Sequence, residues 1–147
     1  MKQLSFILLL LLFFSSTQAQ TDREQITRAG MDYLEGFYEG DTLKLIRSIK
    51  PSLYKLGFYK NKESGIFQPE GTMSFRQALD YAKRVLASKR FPKADAPKKA
   101  EILDILQATA VVKITAWWGY DYLLLSKQSG KWMIESIIWE GPLEKTS

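Results

Sequence analysis

The chain reads as an α+β protein, with its helices in the N-terminal part and an antiparallel meander of strands in the last third. Two periodicities carry that reading. Apolar residues recur at three- and four-residue spacing in two long stretches ending near Tyr38 and Leu86, whereas from Leu106 onward they alternate with polar residues at spacing two. Turn sequences at Gly119 and at "QSGK" cut the alternating stretch into strands that reverse direction.

The first element lies outside this pattern. "MKQLSFILLLLLFFSSTQA" sets Lys2 before an apolar run from Leu4 to Phe14 and ends on small residues at Ala19, the form of a secretory signal peptide. The run is well short of the roughly 20 residues that span a hydrocarbon core, so cleavage after Ala19 is expected, not a permanent anchor. The expected organisation is therefore a signal at residues 1–19 and one domain at residues 20–147, exported to a periplasm or the outside and free of membrane afterwards. No internal repeat divides the domain.

A capping box opens the first helix, because Thr21 is followed three residues later by Glu24. Ile26, Ala29, Gly30, Tyr33, Leu34, Phe37 and Tyr38 form its apolar stripe, and Gly40 stops it. Asp41 caps a short second helix in "DTLKLIRSIK", which Pro51 ends. "SLYKLGFY" is a strand in which Tyr54, Leu56 and Phe58 alternate with Leu53, Lys55 and Gly57. "NKESG" turns into a second strand around Ile66 and Phe67.

Ser74 and Gln77 repeat the capping-box spacing before a third helix, which is carried by Phe75, Ala78, Leu79, Ala82, Val85 and Leu86. "KRFPKADAPKK" is a basic loop. Leu106, Ala108, Ala110, Val112, Ile114, Ala116 and Trp118 then share one face of a strand or a bent pair of strands. "YDYLLLSK" returns and "KWMIESIIWE" closes the sheet. Parity divides Trp117 from Trp118 and Trp132 from Trp139, one of each pair to each face. A sheet this apolar must curl around the first and third helices, and a curved sheet closed over helices commonly leaves a pocket at its open end.

Composition excludes several chemistries. The 147 residues contain no histidine and no cysteine, which removes triads built on either, the common zinc sites and any disulfide framework. Phosphate-cradling glycine loops are absent from the sequence. The formal charge is +5, and basic residues thicken from Lys83 to Lys99. That segment reads as a solvated helix face leading into a loop, so no nucleic-acid partner is expected.

"YLEGFYEGD", "PSLYKLGF", "MSF" and above all "VKITAWWGYDYLLLSKQSGKWMIESIIW" resemble the branch called "putative lumazine-binding" of the nuclear-transport-factor-2-like superfamily. The resemblance runs in order along nearly all of the chain after the signal. It implies a cone of curved antiparallel sheet wrapped around about three helices from the N-terminal half. The superfamily also contains ketosteroid isomerases, scytalone dehydratase and polyketide cyclases. The branch often carries a histidine where this chain has Leu124.

The resulting expectation is an exported, non-catalytic binding protein for a small aromatic or heteroaromatic ligand, without cofactor or metal, whose pocket draws on Tyr33, Phe37, Tyr54, Trp118, Tyr122 and Trp139. One alternative is a lyase or isomerase in which Asp121 is the base and a tyrosine holds the oxyanion. The bland role for Asp121 is to bind backbone amides and fix its hairpin. The other alternative is an interaction module that fills its own cavity. Aromatic residues on both sheet faces, together with the habit of relatives to pair through the outer face, lead us to expect a homodimer.

Overall fold

A computed structural model describes residues 20–143; the expected signal at residues 1–19 lies outside them. Helix α1 (Asp22–Glu39) starts at the expected capping box: the Thr21 hydroxyl accepts from the Glu24 amide and the Glu24 carboxylate accepts from the Thr21 amide. It ends where Gly40 takes φ 71°. The Asp41 carboxylate accepts from the amides of Leu43 and Lys44 and opens α2 (Thr42–Ser48). Arg47 binds the buried Asp32 through two nitrogens, at 2.5 and 2.7 Å, and ties α2 to α1. Helix α3 (Phe75–Ser88) begins at the Ser74 and Gln77 capping box.

Six strands follow in chain order: β1 (Ile49–Lys60), β2 (Phe67–Met73), β3 (Lys99–Ile105), β4 (Thr109–Ala116), β5 (Gly119–Gln128) and β6 (Lys131–Gly141). They form one curved, unclosed sheet in the order β2-β1-β6-β5-β4-β3. The α+β cone expected from sequence is the fold observed. Its core lies between the helices and the inner sheet face, with Ile26, Leu34, Leu45, Ile49, Ile114, Leu123, Ile134 and Ile137 wholly buried.

Four features depart from expectation, each for a local reason. The sheet is mixed, because β1 and β6 run parallel; the crossing through α3 carries the chain to the far edge before the meander returns to β1. Strand β3 was not expected, since the basic loop reached Lys99 and the alternating stretch began only at Leu106. It pairs along β4 from Lys99 to Ile105, and its charged side chains are those of an edge strand. Trp117 and Trp118 are not strand residues. They form the two-residue turn between Ala116 and Gly119, which are partners across the hairpin, so strand parity does not separate them.

The fourth departure is a bulge. Leu124 pairs with Ser136 but Leu125 pairs with Ile134, leaving Glu135 as an extra residue in β6. The inner face of β6 therefore shifts by one position. Trp132, Ile134 and Ile137 are buried on it and Trp139 follows, so Trp132 and Trp139 share the inner face that simple parity denied them.

Candidate functional site

An open cavity of about 420 Å³ lies between helices α1 and α3, strands β1 and β6 and the β4–β5 turn. Helix α1 supplies Phe37, α3 supplies Tyr81, and the hairpin turn supplies Trp117 and Trp118. Trp139 of β6 and Tyr59 of β1 complete the aromatic wall, and the exposed edge strand β2 forms a rim from Glu70 to Met73. Two glycines make room for this arrangement. A Cβ on Gly57 would lie 2.2 Å from the Trp139 ring, and Gly119, at φ 143°, passes so close to β6 that a Cβ would lie 2.0 Å from the Glu140 carbonyl oxygen.

Lys55 forms the polar part of the wall. Its strand face is shared with Leu53 and Gly57, and only 6% of the residue is exposed. The amine sits among four rings, with centroids at 5.1 Å for Tyr33, 5.4 Å for Phe37, 5.7 Å for Trp139 and 5.9 Å for Trp118. Lys55 Nζ donates to the Tyr33 hydroxyl, which donates to Asp121 Oδ2 at 2.8 Å. Trp118 Nε1 donates to the same carboxylate at 3.1 and 3.2 Å, and Lys55 Nζ stands 3.9 Å from Asp121 Oδ1. The three groups thus form a chain, amine to phenol to carboxylate, running inward from the cavity wall.

Burial governs the protonation of this chain. It pushes the Lys55 amine below the ordinary lysine value, against the opposing pull of Asp121. It pushes the Tyr33 phenol well above the ordinary tyrosine value, an effect reinforced by the adjacent Asp121 charge and the hydrogen bond to it.

Of the residues expected to line a pocket, Phe37, Trp118 and Trp139 do so. Tyr33 lies beneath them, fully buried, with its hydroxyl satisfied by Lys55 and Asp121. Tyr54 and Tyr122 do not belong to the cavity: they are 52% and 45% exposed on the outer sheet face, because the inward parity of β1 falls on Leu53, Lys55 and Gly57 and that of β5 on Asp121, Leu123 and Leu125. Asp121 is wholly buried and held by side chains, in place of the backbone amides expected of a hairpin-fixing role.

Lys55, Tyr59, Tyr81, Trp117 and the Glu70 rim were not among the expected site residues. Lys55 had one legible signal, a lysine sharing strand parity with Leu53 and Gly57. Among the described residues, no group of three or more ligating side chains is placed to hold a metal ion.

The family model described as "Putative lumazine-binding" matches residues 21–140. Solved structures of similar fold include nuclear-transport-factor-2-like proteins of unknown function from Methylobacillus flagellatus and Silicibacter pomeroyi. The first is 18% identical with a TM-score of 0.59, covering 81% of this chain and 90% of that one. The second is 16% identical with a TM-score of 0.57, covering 82% and 98%. A nuclear-transport-factor-2-like protein from Cytophaga hutchinsonii is 15% identical with a TM-score of 0.56, covering 84% and 100%. No curated protein matches the chain significantly. At these identities the solved structures show likeness of fold alone.

Proposed function

Since this chain belongs to the "Putative lumazine-binding" family and has the nuclear-transport-factor-2-like fold, we propose that it is an exported protein that binds a small planar heteroaromatic molecule in its cone cavity. The observation that carries this reading is the cavity wall itself. Phe37, Tyr81, Trp117, Trp118 and Trp139 offer ring faces and edges around a volume of about 420 Å³, inside the roughly 300–1,000 Å³ range of small-molecule sites. Each well-placed ring contact stabilises a stacked ligand by about 0.5–1.5 kcal/mol. The buried Lys55 amine has three hydrogens when protonated and one hydrogen-bond acceptor, Tyr33, so it has donors to offer a ligand oxygen.

The test is titration of the purified protein with lumazine, a flavin and a steroid, read by tryptophan fluorescence. Three of the four tryptophans line the cavity, so a bound heteroaromatic should quench strongly. Trp139→Leu should weaken that binding by about fivefold, the equivalent of one lost ring contact. A flat titration with the whole panel would count against the binding reading and favour a non-binding interaction module.

The isomerase reading has less support. Asp121 has no exposed surface, and its carboxylate oxygens already serve Tyr33 and Trp118. Export rests on the sequence from Lys2 to Ala19 and predicts that the protein from its native host begins near Gln20, which N-terminal mass analysis would read. Homodimer formation rests on an apolar outer face. There Leu56, Ile138 and Tyr122 form one row across β1, β6 and β5, with Tyr54 and Leu124 in the next.

A further inference from the structure

The same amine points to reactivity as well as recognition. We infer that Lys55 is a carbonyl-reactive residue, forming a Schiff base with an aldehyde or ketone carried on a planar aromatic ligand; this rests on the cavity being the ligand site.

Three observations converge on it. Lys55 lines the cavity, although the residue is all but closed to bulk solvent. The wall around it is aromatic, and a lysine desolvated in an apolar pocket is an activated nucleophile because the charged form loses its hydration. The third observation is the hydrogen-bonded chain. Nζ donates to the Tyr33 hydroxyl and that hydroxyl donates to Asp121 Oδ2, so one proton shift along two bonds converts ammonium and carboxylate into amine and carboxylic acid. In an apolar surrounding the uncharged amine avoids the desolvation cost that the ammonium carries. The four surrounding rings favour the ammonium, yet the net effect of the site on Lys55 is downward.

The step balances with groups in the site. The Nζ lone pair forms a C–N bond to the carbonyl carbon while the C=O π pair moves to oxygen, and one nitrogen proton passes to that oxygen. The resulting carbinolamine loses its hydroxyl as water when a proton returns from Asp121 through Tyr33. A C=N bond forms, and the positive iminium is left beside the regenerated Asp121 carboxylate. No oxidant or reductant is consumed.

The experiment uses 2-naphthaldehyde with sodium cyanoborohydride, whose hydride converts an iminium into a stable amine, followed by peptide mapping by mass spectrometry at neutral pH. The expected result is labelling of Lys55 about tenfold ahead of lysines exposed to water, such as Lys62, Lys83 and Lys131. Lys55→Met should lose the fast adduct. Because that variant can misfold, the wild-type map decides: labelling of Lys55 no faster than of the exposed lysines overturns the inference. Lumazine titration of the same protein separates the two claims. Quenching without preferential Lys55 labelling removes only the covalent chemistry, whereas absence of both removes the binding reading on which it rests.

Discussion

Asp121 was legible in the sequence as a lone carboxylate among rings, but its partners were not. Lys55 and Tyr33 lie 22 residues apart and Tyr33 and Asp121 lie 88 apart, separations that no local pattern reports. A strand lysine ordinarily signals solvent, and only its shared parity with Leu53 marked it as inward. The buried chain makes two residue-scale predictions. Asp121→Ala should destabilise the fold by about 1–3 kcal/mol in urea unfolding, because it leaves the Tyr33 hydroxyl and the Trp118 indole N–H without their acceptor. Tyr33 predicts a pH effect of definite sign. Its folded value is raised above the ordinary 10.0, so its stabilising contribution is complete below pH 10 and falls away as pH rises beyond it. Tyr33 should add its tyrosinate absorbance only when alkali unfolds the chain. A tyrosinate signal that Tyr33→Phe removes, seen while circular dichroism still shows the fold intact, would contradict this.

At the scale of elements, the capping boxes at Thr21 and Ser74 were readable because a cap is a contact over three residues. The alternation of β4 was readable because Ala110, Val112, Ile114 and Ala116 share one apolar face opposite Lys113 and Thr115. The bulge at Glu135 was not, since an extra residue in a strand leaves no mark on composition, and it alone reassigns Trp139 to the cavity. Strand β3 was concealed by the charged residues Lys99, Glu101 and Asp104 that suit it to an edge. Gly57→Ala tests the arrangement of the cavity strands. The new methyl would collide with the Trp139 indole, costing about 1–3 kcal/mol by overpacking and displacing a cavity wall. Thermal unfolding should show the loss, and lumazine quenching should fall with it. A second element-scale prediction concerns the start of α1. Asp22 accepts from Lys127 Nζ at 2.8 and 3.0 Å and from Trp132 Nε1 at 3.0 Å, and these bonds hold its carboxyl below the usual 3.8. The clamp therefore contributes above about pH 4 and is lost as acid protonates Asp22. Asp22→Asn should flatten the acid limb of the stability curve, read by urea midpoints across that range.

Seen whole, the molecule has one face turned to the cavity and one left apolar. The α+β class followed from two periodicities, whereas strand order did not, because order is set by where α3 delivers the chain. The outer face carries Tyr54, Tyr122, Leu124 and Ile138, each about half exposed. If this face pairs two copies, Leu124→Glu should convert a dimer into a monomer in sedimentation velocity without altering thermal stability of the monomer unit. An unchanged sedimentation coefficient would rule the face out. The parallel contact between β1 and β6 has a further consequence, in the order of events during synthesis. Strand β1 is made early, but its parallel partner β6 emerges only after β2, α3, β3, β4 and β5, so the central seam of the sheet stays open until all of those elements are made. The fold is then paced by its most distant pairing, with a high contact order and slow closure. A nascent chain halted before Lys131 holds two unjoined halves, β2-β1 and β5-β4-β3, each presenting a bare edge to whatever binds unfinished strands.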